Sequence, residues 1–290
     1  MTAGRLYVVA TPIGNLDDVT LRAIEVLRSV AVIAAEDTRL TRRLLERHGI
    51  ATRMVSYHAR SGPGRTRELV GRLRAGDDVA IVTDAGTPGV SDPGEDLVAA
   101  WVAEAGTVVP IPGASAVLAA VAAAGIAGPR WSFEGFLPRS GRERRERIAR
   151  IVADPRGSIV YEAPGRVAAT LADLAAGSDA SRPAAVAREL TKLHEEIVRA
   201  PIAELAVRAR SGELTLRGEF VIVLGAFDRV PGSPDGETGS GGSGDTVDLA
   251  AARADVERRI AAGARRADAV RAVATETGIP RRRLYAAPDR

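Results

Sequence analysis

The sequence predicts an α/β fold: two compact α/β domains followed by a small helical appendix. Three observations predict it. Strand-like apolar runs alternate with stretches of helical periodicity. In the first half those runs are apolar throughout, as in a parallel sheet covered on both faces. The 290 residues correspond to about two domains at roughly 150 residues each.

Residues 6–10 (LYVVA) form the first strand, and TPIGN breaks it into a turn. Asp17 and Asp18 cap a helix whose apolar positions Val19, Ala23, Val26 and Val30 recur at helical spacing. Residues 31–35 are a second strand, and Glu36-Asp37-Thr38-Arg39 is the next strand-to-helix junction. Leu40, Leu44 and Leu45 line that helix. Residues 54–57 are a short third strand ending near His58. A helix at 67–73, a strand at 79–82, a helix at 97–102 and a strand at 107–111 follow. The last of these ends in PGAS and opens an Ala/Val-rich helix through Ala124.

Between the strand at 79–82 and the helix after it lies TDAGTPGVSDPG, residues 83–94, with three Gly and two Pro. Such a loop bends sharply and needs some left-handed backbone. Loops at the carboxyl ends of parallel strands are where open α/β sheets bind ligands. This one carries Asp84 and Asp92 and no Lys or Arg. A phosphate cradle would want a basic partner, whereas carboxylates suit a ligand with a cationic or hydroxyl-bearing face. Asp92 itself reads as a helix N-cap, with Pro93 at N1 and Glu95 at N3. Neither GxGxxG nor GxxxxGK[ST] occurs, which removes the dinucleotide fingerprint and the P-loop.

After Gly125 the pattern changes. WSFEGFLP (131–138) carries three of the ten aromatic residues. It is either a core plug between layers or a platform at the mouth of a cleft. Residues 139–150 hold six Arg and two Glu on one predicted helix. That helix is either solvated and laced by Glu/Arg pairs or a contact strip for a phosphate backbone. Strands at 158–162, 184–187 and 219–224 and helices at 167–175 and 202–209 complete a second α/β unit. The expected division is 1–115, 116–228, a Gly/Ser linker at 229–244 and a basic tail at 245–290. The linker's core, 231–244, has six Gly, three Ser and two Pro and cannot build a core. The tail holds ten Arg against seven Asp/Glu. Its Val273, Ala274, Gly278, Ile279 and Leu284 match a helix-turn-helix spacing. A nucleic-acid-binding module and a helical hairpin docked elsewhere are both consistent with it.

Composition narrows the chemistry. There is no Cys, which removes disulfides, zinc–thiolate sites and cysteine nucleophiles. With three scattered His and no HExxH, a dedicated metal centre is not expected. No run of eighteen apolar residues and no signal-peptide core is present, so a cytoplasmic protein is expected. Lys192 is the only lysine, in a chain where every other such cation is Arg. Lys can lose its proton when desolvated and Arg cannot. Lys192 therefore suits either uptake of a hydroxyl proton or, as a cation, stabilisation of an alkoxide.

With LYVVATPIGNL, AAEDTR, SYH, TDAGTPGVSDPG, PGAS, FEGFLPR, YEAPGR, ARELTKLHEE and GEFVIVL in this order, the chain resembles the tetrapyrrole-methylase superfamily. Within it, the chain is most similar to the branch that methylates cytidine 2′-hydroxyls of small-subunit (16S) ribosomal RNA. The resemblance implies S-adenosylmethionine bound in a cleft between two α/β domains of a homodimer. The acceptor it implies is a cytidine ribose near the decoding centre. Carried over by motif, Ile13, Gly14, Asp84, Gly86, Thr87, Pro88, Val90, Ser115, Ala116 and Glu219 would line the cofactor. Lys192 would act on the hydroxyl, positioned by Glu189 or Glu162. Asp37, Arg39 and His58 would face the RNA. Arg142, Arg144, Arg145 and Arg147, with Arg281, Arg282 and Arg283, would hold its phosphates. Two alternatives remain: methyl transfer to a tetrapyrrole precursor, and a nucleic-acid-binding regulator whose α/β body senses a ligand.

Overall fold

The computed structural model describes residues 2–227, 249–277, 281 and 284. The chain divides into a body that ends at Val230 and a tail that begins at Pro231. The body contains two five-stranded sheets.

The first sheet comprises β1 (Arg5–Val9), β2 (Val32–Ala35), β3 (Met54–Ser56), β4 (Val79–Val82) and β5 (Thr107–Ile111). All are parallel, in the order β3-β2-β4-β1-β5. Helices α1 (Leu21–Ser29), α2 (Thr38–Arg47), α3 (Pro63–Arg74) and α4 (Glu95–Val102) connect them. Alternation along β4 shows why every residue is apolar. Ala80 and Val82 join Leu27 and Leu45 on one face, while Val79 and Ile81 join Leu69, Leu73, Leu97 and Trp101 on the other.

Two start signals differ from expectation. Thr20, not Asp17 or Asp18, caps α1 by accepting from the Ala23 N–H; the two Asp lie in a preceding 3₁₀ turn. Helix α4 starts at Glu95 with Gly94 as N-cap and no side-chain cap. Asp92 is therefore not a cap. The φ of 143° at Gly94 excludes a side chain there and lets the loop swing past the helix end.

The second sheet comprises β6 (Trp131–Phe136), β7 (Gly157–Glu162), β8 (Pro183–Arg188), β9 (Glu196–Pro201) and β10 (Phe220–Leu224), in the order β6-β7-β10-β8-β9. Only β6 and β7 pair in parallel; β10 runs against both β7 and β8, and β8 against β9. Strand β9 lies outside the predicted strands. It is an edge strand whose residues are mostly half-buried or exposed, so it lacks the apolar run that marks its neighbours. Helices α6 (Gly141–Ala153), α7 (Val167–Gly177) and α8 (Ile202–Ser211) bury Ile148, Leu171, Leu174 and Leu205 against one face. Helix α5 (Ala116–Ala124) buries Val117, Ala120 and Ala124 against Ala185, Ala187, Val221 and Val223 on the other. The expected division at 115/116 falls between β5, in the first sheet, and α5, packed on the second.

In the tail, α9 (Leu249–Ala261) and α10 (Arg266–Thr277) enclose Val256, Val270, Val273 and Leu284. The linker 229–244, and Gly278 and Ile279 of the expected turn, lie outside the described residues. Among the described residues no helix is long and apolar enough to cross a membrane. None of their His, Asp and Glu group as a metal site.

Candidate active site

Three neighbouring strands of the first sheet, β4, β1 and β5, deliver their carboxyl-end loops to one place. The loops are tied together by backbone and hydroxyl bonds. Thr11 and Gly86 exchange N–H···O bonds of 2.9 and 3.0 Å. The Thr11 hydroxyl donates to the Thr83 carbonyl at 3.0 Å, and Thr87 Oγ1 to the Ala114 carbonyl at 3.3 Å. Gly86 and Gly89 both have φ of 83°, and Ser91 holds 66° without being glycine. Such a residue costs about 1–3 kcal/mol and persists only where the surroundings enforce it. Ser115 caps α5 by accepting from the Leu118 N–H.

Facing these loops are the carboxyl ends of β6, β7 and β8 and the start of β10. The two sets of strand ends enclose a cavity of about 370 Å³, within the range of about 300–1,000 Å³ common for small-molecule sites. Ile13, Gly86, Thr87, Val90, Ser115 and Ala116 line it from the first side. Phe136, Tyr161, Ala187, Leu190, Glu219 and Val221 line it from the second.

No Lys or Arg lines the cavity. Its charged residues are Asp92, Glu162 and Glu219. The two glutamates are ion-paired, with Arg166 and Lys192, whereas the Asp92 carboxyl has no hydrogen-bond or ion-pair partner among the described residues. Burial, then the nearby Glu36 and Asp84 carboxylates, push Asp92 up to about 7. Glu36 and Asp84 are themselves raised, chiefly by burial. They share backbone bonds across β2 and β4: the Asp84 N–H donates to Glu36 Oε2 at 3.2 Å, and the Asp37 N–H to Asp84 Oδ1 at 2.9 Å. The result is a wall with surplus negative potential and an unpaired carboxyl group.

At the rim stands Lys192. Its Nζ lies 2.9 Å from Glu189 Oε1 and 3.0 Å from Glu219 Oε2. Burial pushes the ammonium down, but hydrogen bonds to the two carboxylates outweigh it and hold it above the usual lysine value. Of the two roles open to Lys192, this environment favours the cation. The loop around it is strained, with φ of 50° at Glu189 and 66° at Thr191. It is also clasped to the first sheet, since the Asn15 N–H donates to Thr191 Oγ1 at 3.2 Å. The Lys192 stem lies over Gly14, where a Cβ would meet Lys192 Cγ at 2.5 Å. Gly218, with φ of 93°, leaves the same kind of room for Glu189.

A sequence model of the tetrapyrrole (corrin/porphyrin) methylases matches residues 5–206. The chain belongs to this family. A ribosomal RNA small subunit methyltransferase I of Synechocystis sp. is 44% identical to the methylase over 97% of this chain and 96% of its own length. One from Bacillus subtilis is 38% identical over 97% and 93%. Among solved structures, a cobalt precorrin-4 methyltransferase shares the fold with a TM-score of 0.58 at 18% identity, covering 76% of this chain and 94% of its own. The uroporphyrin-III C-methyltransferase of Thermus thermophilus complexed with S-adenyl homocysteine gives 0.54 at 20%, covering 77% and 97%.

Not every residue expected at the methylase site lies there. Gly14 underlies Lys192, Asp84 is spent on the Asp37 backbone, and Pro88 packs beside Gly94 rather than on the cavity wall. Glu162 lines the cavity, but its side chain is fully buried and its partners do not include Lys192. It accepts from Thr170 Oγ1 at 2.6 Å and the Ala163 N–H at 2.8 Å, and pairs with Arg166. Arg144, expected on phosphates, is 8% exposed. It donates to Thr170 Oγ1, Asp173 and the Pro138 carbonyl. The turn of α6 that carries Arg144 packs against α7, which leaves that guanidinium bonded within the fold. Arg147 is half-buried on Glu134, Arg142 pairs with Glu146, and Arg145 is exposed. Arg281 is exposed; Arg282 and Arg283 lie outside the described residues.

Asp37 caps α2 through the Arg39 N–H at 2.8 Å and pairs with the Arg39 guanidinium. His58 lies in a separate shallow depression with Ser61 and Arg65, its Nδ1 accepting from the Arg60 N–H at 3.1 Å. Several wall residues were not assigned to the site by the sequence reading, among them Tyr161, Phe136 and Asp92. Tyr161 and Phe136 were legible only as aromatics. Asp92 was legible as an acid in a ligand loop, but its position before Pro93 mimics a helix cap.

Proposed function

We propose that this methylase transfers a methyl group from S-adenosylmethionine to the 2′-hydroxyl of a cytidine in small-subunit ribosomal RNA. The observation that carries the reading is the 44% identity, over nearly both full lengths, to a relative named for methylation of that RNA. The cavity fits the donor: its walls are apolar, no cation lines them, and the unpaired Asp92 carboxyl answers a positive charge. We place the acceptor cytidine near the decoding centre of 16S RNA, and the working form as a cytoplasmic homodimer.

Bound, S-adenosylmethionine supplies an electrophilic methyl group and a neutral thioether leaving group. A ribose hydroxyl is a weak nucleophile, so the protein must orient it and manage its proton. Lys192, as a cation at the rim, stabilises charge developing on the hydroxyl oxygen. Glu219, bonded to Lys192 and lining the cavity, accepts the proton; Glu189 fixes both. Ile13, Gly86, Thr87, Val90, Ser115 and Ala116 hold the donor. Arg39, His58, Arg142, Arg145, Arg147 and Arg281 are the remaining candidates for RNA phosphates.

Mapping 2′-O-methylation across ribosomal RNA from cells with and without the gene tests this. One small-subunit cytidine is expected to lose its methyl group without the gene. An unchanged map, together with label passing from purified protein to a uroporphyrin-type precursor, would instead favour the tetrapyrrole reading.

A further inference from the structure

Phe136 is an anomaly in the second sheet. It is 54% exposed, yet it lines the cavity. Along a regular strand, Phe133 and Phe136 would face opposite sides of the sheet, being an odd number of residues apart. They do not, because β6 shifts register against β7 between Phe133 and Gly135. Gly135 has φ of 61°, and a Cβ there would come within 3.1 Å of Ser91 Oγ. The irregularity brings both rings onto Tyr161, edge to face, at 4.9 and 5.5 Å between centroids. Bulges that re-aim a side chain are over-represented next to active sites.

The platform is packed from behind. Tyr161, the middle ring, is half-buried against the cluster that includes Val117 of α5 and Ile159 of β7. Phe136 is therefore held with part of its ring in solvent at the mouth of a cavity. Two exposed arginines flank that mouth in sequence: Arg139, three residues beyond Phe136, and Arg217, beside Gly218 and Glu219 of the cavity wall. Neither guanidinium has a hydrogen-bond or ion-pair partner among the described residues. An exposed aromatic face with free cations close by in sequence suits an unstacked nucleotide, which brings a base to stack and phosphates on either side.

We propose that Phe136 is the stacking platform for the base of the acceptor nucleotide, which enters extruded from its helix, with Arg139 and Arg217 on the flanking phosphates. This rests on the reading of the site as an RNA methyltransferase. It adds that the ribose reaches Lys192 only when its base is splayed out onto the ring. The rival occupant of the ring is the adenine of the donor.

The test measures methyl transfer from labelled S-adenosylmethionine to small ribosomal subunits purified from cells lacking the gene. Donor affinity is measured separately by calorimetry. Phe136→Ala is expected to raise KM for subunits about 5- to 100-fold while leaving the donor's Kd within about twofold. Phe136→Trp, which keeps a stacking face, is expected to restore the KM. Arg217→Gln is expected to lower the slope of log KM against log salt by about 0.7–0.9, one phosphate's worth. An unchanged KM for Phe136→Ala overturns the platform. So does a donor Kd that rises in step with KM, which would give the ring to the adenine. If the unsubstituted protein methylates no subunit, the activity itself falls, and the platform with it.

Discussion

Replacing Lys192 by Met is expected to lower kcat for methyl transfer about 100- to 1,000-fold, the usual cost of removing one group aimed at developing charge. Donor affinity should change little, because Lys192 stands at the rim and does not line the cavity. The substitution also separates the two roles open to a lysine. With its ammonium held above the ordinary lysine value by Glu189 and Glu219, Lys192 stays charged across the neutral range. Its contribution to rate should be complete across the neutral range and fall only as pH rises through its raised value, beyond the ordinary lysine range.

A lysine acting as base would show the opposite: a rate that climbs with pH as the proton leaves. Lys192→Arg is informative for the same reason. Arg keeps the charge, but its planar head cannot sit as a point between two carboxylates over Gly14. Activity about tenfold below the native level, and well above that of the Met variant, supports the cation role. Arg and Met variants equally inactive would argue for a proton-transfer role.

Asp92→Asn is expected to weaken S-adenosylmethionine binding about tenfold or more, and to abolish a pH dependence that the native protein shows. The free carboxyl titrates near about 7 because burial and two neighbouring carboxylates disfavour its charge. A cationic donor binds the ionised form. Below that pH, binding must first expel a proton, so affinity should rise by up to about tenfold per pH unit toward neutrality and then level off. The demethylated product has lost the sulfonium charge, so the substitution should weaken it less than the donor.

Stability runs the other way. A carboxyl raised in the folded state binds a proton that the unfolded chain has already lost, so the free protein loses stability as pH rises from about 4 to 7. The Asn variant should melt higher than the native protein at pH 8 while binding donor worse, the trade often seen where function keeps a destabilised group. Equal pH profiles for the two proteins would remove Asp92 from the donor site.

The first sheet was legible because its central strands are apolar throughout except for Arg5 at the exposed start of β1, and because glycine, proline or capping signals follow the strands. Strand β9 was not, since EIVRAP at a sheet edge has neither an apolar run nor strict alternation. The lone Lys192 stood out by composition, but its charge state did not. That depends on Glu219, which is 27 residues away in sequence and meets Lys192 only through the β8–β10 pairing.

Glu162 was expected beside Lys192 by motif, and Arg144 on RNA phosphates as one of a run of arginines; both expectations took these charges to be accessible. The fold buries them together around Thr170, which a linear reading does not reveal. The role of Asp92 was hidden by a local rule, Asp before Pro at a helix start. The left-handed backbone at Ser91 and Gly94 overrides that rule.

The most direct measurement is a crystal structure of the protein grown with saturating S-adenosylmethionine. The donor should lie between the β4–α4 loop and the strand ends of β7 and β10, its positive groups toward Asp92 and its methyl toward the Lys192–Glu219 pair. A cavity that stays closed by its own side chains, or a donor bound elsewhere on the chain, would contradict the account.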